Sequence, residues 1–463
     1  MSTPEIIKES LQFLKIMTDN NIDEVALLNV LNAKFTQLVS LKNIGFKQFN
    51  NTNKKTLSYY GINFMPSGRQ KDYTVSCIND YLLPFIKDKY NERIENYKKE
   101  YKDEQYYLRR SESKKEAAKI NAEIEEELKR IRPANLEIED GNMFGLYEEA
   151  KQIKRINFGS LFIKISELGD YIDGITSGNL DKKDFFQNLK NIYEGNIAGR
   201  IIKSEARENI SGVSVQALMY ADFESLLDNR NNKYFKNMLK TGFGRRSFVY
   251  IPIKNEILKM PIKHEMKQDA VDNAIRLRNR IETEIFNKIR EDAEFYYSEE
   301  AQEKIFEYRC ECVEKTNKMG DYDDILATDL RESYWKIQKL AVVYSILENP
   351  GCSIVAKKYI EMAIDFYQSI SPCLEVVLEK KESLPIDNLI KYIKRNMGRV
   401  ITKTDLRRQN FVNQNQFKRW LEESLIEASN ILREENIFVC EYTGDKNSQK
   451  YQIIKKEIEN ATR

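Results

Sequence analysis

The sequence predicts an α/β fold, and two observations carry that reading. Apolar, β-rich runs recur at 57–64 (LSYYGINF), 160–166 (SLFIKIS), 212–222 (GVSVQALMYAD) and 246–253 (RSFVYIPI). Segments of helical period lie between them, FGLYEEAKQIKR and 180–195 among them. Strands separated by helices imply a largely parallel sheet with helices on its faces. At 463 residues the chain is long enough for two to four domains with buried cores. With 41% hydrophobic and 32% charged residues it belongs with folded chains, not disordered ones.

Taken in order, residues 1–50 read as an N-terminal helical segment, with Ile6, Ile7, Leu11, Phe13 and Leu14 near one face and a second apolar run over Val25–Leu31. A core over 51–327 follows. Within it, 89–131 carries 12 Lys/Arg and 11 Asp/Glu without Gly or Pro, the pattern of a long solvated helical insertion, folded as a hairpin. Residues 268–316 read as further charged helix. A helical segment spans 328–384, with Trp335, Ile337, Leu340 and Ala341 on the apolar face of its first helix. Residues 385–463 form a module of their own: a helix (PIDNLIKYIKRNM), a short helix that Thr402 or Thr404 caps, a longer helix, and two β-runs, IFVCEYT and KYQIIK. Three helices and a hairpin in this order predict a winged helix.

Composition narrows the chemistry. Lys+Arg number 74 against Asp+Glu 72, so nucleic-acid binding has to come from local patches. The one histidine, His264, lies in a polar stretch, which leaves Ser-His-Asp triads and His-rich metal sites without their residues. Of six cysteines only Cys310 and Cys312 are close, and a lone C-x-C makes no zinc site. No run of about 18 apolar residues suggests a membrane span. The N-terminus MSTPEIIKESLQFLK carries acids and lysines where a signal peptide needs an apolar core, so a reduced, cytoplasmic protein without membrane contact is expected. If the chain is an enzyme, the chemistry left is that of carboxylates, lysines and arginines, with a metal, acting on a phosphate.

Three pieces fit such chemistry. The first is strand–MPSGRQKD–helix, in which Lys71 opens a helix directly after an apolar strand, as a phosphate loop requires. Spelled against G-x-x-x-x-G-K-[ST], Met65 and Gln70 stand at the glycines and Asp72 at the magnesium-binding hydroxyl. The second is SLFIKISEL, an apolar strand ending in Glu167, with Ser166 at the usual Asp position. The third is TGFGRRSFVYIP, a turn presenting Arg245 and Arg246 as candidate fingers for a neighbour's γ-phosphate.

The succession of these pieces resembles a family of P-loop proteins encoded by phages, plasmids and other mobile elements, RecA-type or helicase-type replication ATPases. The family's loop reads close to PSGxGKD, which Pro66, Ser67, Gly68, Lys71 and Asp72 match, with Arg69 and Gln70 between. The resemblance covers about 57–380. It implies a RecA-like core that binds ATP and Mg²⁺. Asp72 and Glu167 would handle metal and water, Gln216 would be the polar sensor, and Arg246, with Arg245, would reach in from the next subunit. It also implies a homo-oligomer, such as a hexameric ring, acting on DNA with replication partners. Gln70 in place of glycine and Ser166 in place of Asp depart from the pattern. They leave open an alternative: a catalytically inactive homologue acting as a DNA-binding or assembly factor.

The C-terminal module is the candidate DNA contact. Residues 386–463 hold 15 Lys/Arg against 11 Asp/Glu, with Lys403, Arg407, Arg408, Lys418 and Arg419 around its second and third helices and Lys446 and Lys450 on the wing.

Overall fold

The structure is a computed structural model, which describes residues 2–47, 53–65, 70–108, 114–139, 142–198, 208–222, 229–240, 242–252, 259–319, 325–371, 385–409, 417–433, 437–442 and 450–455. The chain divides into two compact units, Met1–Val376 and Val377–Arg463. Among the described residues no helix is long and apolar enough to cross a membrane.

The first unit is built on a parallel sheet of five strands: β1 (Tyr60–Phe64), β2 (Glu137–Glu139), β3 (Leu161–Ile165), β4 (Val215–Ala221) and β5 (Ser247–Tyr250). Their order is β2-β3-β4-β1-β5. Tyr60 of β1 pairs with Ala217 on one side and Ser247 on the other, and Leu161 of β3 pairs with Val215. The four strands that the sequence predicts are all present. Every residue of β1 and β4 is buried, as unbroken apolar runs require in a sheet covered on both faces. The edge strand β2 is not legible in the sequence, because its EIE is short and rich in glutamate.

Helices accompany the sheet. The first are α1 (Glu5–Met17), α2 (Glu24–Ser40), α3 (Lys71–Cys77), α4 (Phe85–Leu108) and α5 (Lys114–Lys129). Then come α6 (Met143–Ile156), α7 (Leu168–Thr176), α8 (Leu180–Tyr193) and α9 (Asn229–Lys240). Last are α10 (His264–Arg280), α11 (Glu299–Met319), α12 (Ile325–Glu348) and α13 (Lys357–Ile370). Helix α2 starts at Asp23, whose carboxylate accepts from the Val25 N–H, and is buried at every position from Ala26 to Ser40. That burial on all sides makes it the central helix against the sheet. Its Asn29 donates to Asn63 Oδ1 of β1 at 2.7 Å, and its buried Lys34 lies 3.9 Å from the Phe162 ring centre and pairs with Glu137 of β2. In the charged stretch 89–131, α4 and α5 are joined by Tyr101 to Glu127 (2.6 Å) and Lys102 to Glu125 (2.7 Å), while Tyr90, Ile94 and Ile124 are buried.

One stretch departs from expectation. Residues 268–316 are not continuous helix: Glu294–Tyr297 form a strand between α10 and α11. This EFYY strand runs parallel to Gly45–Phe46 on one side and to Ile354–Val355 on the other, in a four-stranded ribbon completed by Lys55–Thr56. Its partners are two-residue strands far away in sequence, so no local period announces it.

Helix α12 brings two more lysines into the interior. Lys336 donates to Asp329 Oδ1 at 2.6 Å and to the Ser247 carbonyl at 3.0 Å, and Tyr367 donates to the other oxygen of Asp329 at 2.6 Å. Lys339 donates to the Tyr193 carbonyl at 2.8 Å and lies 3.8 Å from that ring's centre.

The second unit holds α14 (Pro385–Arg395), β6 (Val400–Thr402), α15 (Lys403–Arg408), α16 (Phe417–Arg433), β7 (Ile437–Tyr442) and β8 (Lys450–Lys455). The strands form an antiparallel sheet of order β6-β8-β7. Leu389, Ile393, Leu406, Leu421, Ala428 and Ile453 share one core. Thr402 caps α15 through a reciprocal capping box with Asp405.

Burial lowers the Lys339 pKa to about 7 from the ordinary 10.5. The unfolded chain then binds a proton that the folded chain does not between these two values. The stability held above 10.5 is therefore lost as pH falls toward 7. Thermal unfolding measured at pH 7 and at pH 9 should show a melting temperature that rises with pH. Lys339→Met should flatten that rise, and an equal slope in both proteins would contradict the assignment.

Candidate functional site

The carboxyl ends of the parallel strands form the edge where α/β sheets bind ligands. Strand β1 delivers the chain to this edge, where the Met65 N–H donates to the Ala221 carbonyl at the end of β4 (2.8 Å). Pro66, Ser67, Gly68 and Arg69 lie outside the described residues. The chain re-enters at Gln70, in the left-handed conformation (φ 56°, ψ 27°) directly before α3. This is the backbone shape that glycine adopts without strain and that costs other residues about 1 kcal/mol or more.

Lys71, the first residue of α3, is buried. Its ammonium donates to the Ser166 carbonyl at 3.0 Å and forms an ion pair with Glu167, at the end of β3. The neighbouring Asp72 turns to other partners: Lys164 Nζ at 2.9 Å and the Ser166 hydroxyl at 3.2 Å. Lys164 also reaches Glu139 of β2 at 3.0 Å. Burial would lower the Lys164 pKa, but its hydrogen bonds to Asp72 and Glu139 outweigh it and hold the ammonium above its ordinary value. The edge thus gathers Lys71, Asp72, Glu139, Lys164, Ser166 and Glu167. Of these, Lys71 is the group that a phosphate ester could engage in place of Glu167.

Two residues at this edge escaped the sequence reading. Tyr220, on β4, lies one register step beyond the Ile165–Met219 pair and therefore beside Ser166. Its side chain is fully buried and its hydroxyl has no hydrogen-bond partner among the described residues. Burial, and after it the charge of Asp72, raises its pKa. A buried hydroxyl without a partner costs roughly 1–3 kcal/mol, so one this close to the loop stands out. Asp222 follows β4 at the same edge. The signal available in the sequence was position alone, since both close an apolar run that reads as core strand.

Gln216, expected as the sensor, lies elsewhere. It sits near the amino end of β4, opposite Phe162, fully buried. Its amide accepts from the Ser160 hydroxyl at 2.7 Å and donates to the Leu57 carbonyl at 3.2 Å. It fastens the start of the sheet and is a strand length from Lys71. Arg245 and Arg246 also precede their strand, β5, and so lie at the amino edge, about 16 Å of strand from the loop. Arg246 donates to the Gly242 carbonyl at 2.8 Å and faces Glu194 at 3.5 Å, while Arg245 is 4.0 Å from Glu332. They therefore lie at the opposite edge of the sheet from Lys71.

The carboxylates do not assemble a metal cage: no group of three His, Cys, Asp or Glu residues placed to hold an ion occurs among the described residues. Asp72 and Glu167, the expected magnesium residues, each face a lysine instead.

In the second unit, Lys403, Arg407 and Arg408 fall on α15, with Arg407 and Arg408 exposed, and Lys450 opens β8. Lys418 and Arg419 lie in the first turn of α16 with side chains outside the described residues, and Lys446 is outside them altogether.

Replacing Gln70 by glycine should remove the left-handed strain and raise stability by up to about 1 kcal/mol, net of glycine's greater freedom in the unfolded chain. Gln70→Val should lower it by more than about 1 kcal/mol, because a β-branched residue is poorest in this conformation. Thermal unfolding of the two variants checks the pair, and the opposite ranking would contradict it.

No family model matches the chain, and no curated protein matches it.

Proposed function

We propose that this chain is a nucleotide-dependent DNA replication protein of a phage or mobile element, with helicase-like ATP hydrolysis at the Lys71 edge. The observation that carries the reading is the position of Lys71. It opens the helix after a central parallel strand, and its ammonium meets a carboxylate from the end of β3. In the P-loop arrangement a lysine so placed takes the terminal phosphates. The strand order supports a RecA-like core, because β4 lies between the loop strand and the acidic strand and brings Tyr220 and Asp222 to the same edge. Glu167, once released by Lys71, would orient the attacking water. Arg246 and Arg245 at the far edge suit a homo-oligomeric ring, a hexamer for instance, in which they serve the next subunit's nucleotide.

The second unit supports a winged helix. Its helix–strand–helix–helix–hairpin order and three-stranded sheet suit that module, with the basic residues of α15 and Lys450 as the candidate phosphate contacts. We assign the DNA contact to this unit.

A second reading is favoured by Ser166 at the strand end and by the lysines already engaging Asp72 and Glu167. It makes the chain a homologue that binds DNA or assembles a replication complex without turnover.

ATP hydrolysis measured with and without single-stranded DNA separates the two. The first reading predicts turnover stimulated by DNA and reduced about a hundredfold or more in Lys71→Ala. Background turnover in both proteins, with DNA binding unchanged by ATP, favours the second.

A further inference from the structure

Magnesium in a P-loop site is held between a hydroxyl that follows the lysine and a carboxylate at the end of the acidic strand. Here the two groups have exchanged places. The carboxylate, Asp72, follows the lysine, and the hydroxyl, Ser166, ends the strand, with a hydrogen bond of 3.2 Å between them. The exchange leaves the carboxylate within reach of a third residue. Lys164, with only 13% of its side chain exposed, places its ammonium 2.9 Å from Asp72 Oδ1 and 3.0 Å from Glu139 Oε1.

This surrounding does not fit magnesium. Mg²⁺ demands near-octahedral oxygen ligands at about 2.0–2.1 Å. An ammonium on the same carboxylate oxygen would repel it at close range. The three carboxylates of the cluster share two lysines: Glu167 pairs with Lys71, while Asp72 and Glu139 share Lys164. Displacing Lys164 would strand its charge in a largely buried place on β3.

We propose that Lys164 is the resident cation of this site and stands where magnesium would, so that the chain binds a nucleoside triphosphate without requiring a divalent ion. This inference rests on the nucleotide reading above. Lys71 then meets the terminal phosphates, and Lys164 keeps Asp72 from repelling them.

The test is titration of the full chain with a fluorescent N-methylanthraniloyl ATP, in excess Mg²⁺ and in EDTA. The expected dissociation constants agree within about threefold. Lys164→Met, which keeps the length of the side chain, should bind at least about tenfold more weakly in EDTA and recover when Mg²⁺ is added, because Asp72 is freed to take the ion. Asp72→Asn should bind equally in both buffers, and it provides a second variant should Lys164→Met fail to fold. Binding by the wild type in Mg²⁺ that is lost in EDTA would overturn the inference and leave the nucleotide reading standing. Loss of Mg²⁺-supported binding in Asp72→Asn would overturn it as well. No binding in either buffer would overturn both.

Discussion

The ion pair between Lys71 and Glu167 is the constraint around which the first unit is arranged. A lysine as buried as Lys71 needs acceptors, and it has the Ser166 carbonyl and the Glu167 carboxylate. Those acceptors directly follow β3, which lies two strands away from β1 with β4 between them and all three parallel. The pair ties the start of α3, directly after Gln70's left-handed turn, to the end of β3. The pair is also the contact that an incoming phosphate would have to exchange, which joins the architecture to the proposed chemistry.

The same device recurs through the unit. Lys34, Lys336 and Lys339 are buried on the two long central helices, and each ends on a named acceptor: Glu137, Asp329 and the Tyr193 carbonyl. Buried ion pairs add little net stability, but breaking one by removing a single partner costs about 3–5 kcal/mol. Lys34 thereby fixes α2 to β2, Lys336 fixes α12 to β5 through the Ser247 carbonyl, and Lys339 fixes α12 to the end of α8. Asn29 does the same on the face of β1 through Asn63 and Tyr59. Asp19 extends the tie to α10. Burial pushes its carboxyl up, but the Lys267 ammonium and the Ile262 N–H outweigh this and hold it below the usual range. The turn after α1 and the start of α10 are thereby held to one another.

Much of this was legible in the sequence, for physical reasons. Strands buried on both faces are continuous apolar runs, so the four longest strands of the parallel sheet could be read directly. The start of α3 at Lys71, directly after such a run and its turn, could be read in the same way. What could not be read depends on partners distant in the chain. The EFYY strand takes its identity from two-residue strands at 45–46 and 354–355, and β2 from β3 alone. Gln216 looked like a sensor because it is a polar residue on the right strand, but which end of the strand it occupies is set by register. Tyr220 was hidden for the opposite reason, as an aromatic residue inside an apolar run. Lys164 reads as an ordinary strand residue until α3 brings Asp72 beside it.

The central claim is that phosphate takes Lys71 from Glu167. Glu167→Gln removes the charge that holds the ammonium while keeping the side chain's shape, so the most direct measurement is calorimetric titration of ATP into this variant and into the wild type. The account predicts several-fold tighter binding in the variant, because the ammonium no longer has to leave an ion pair. Equal or weaker binding in the variant would contradict it.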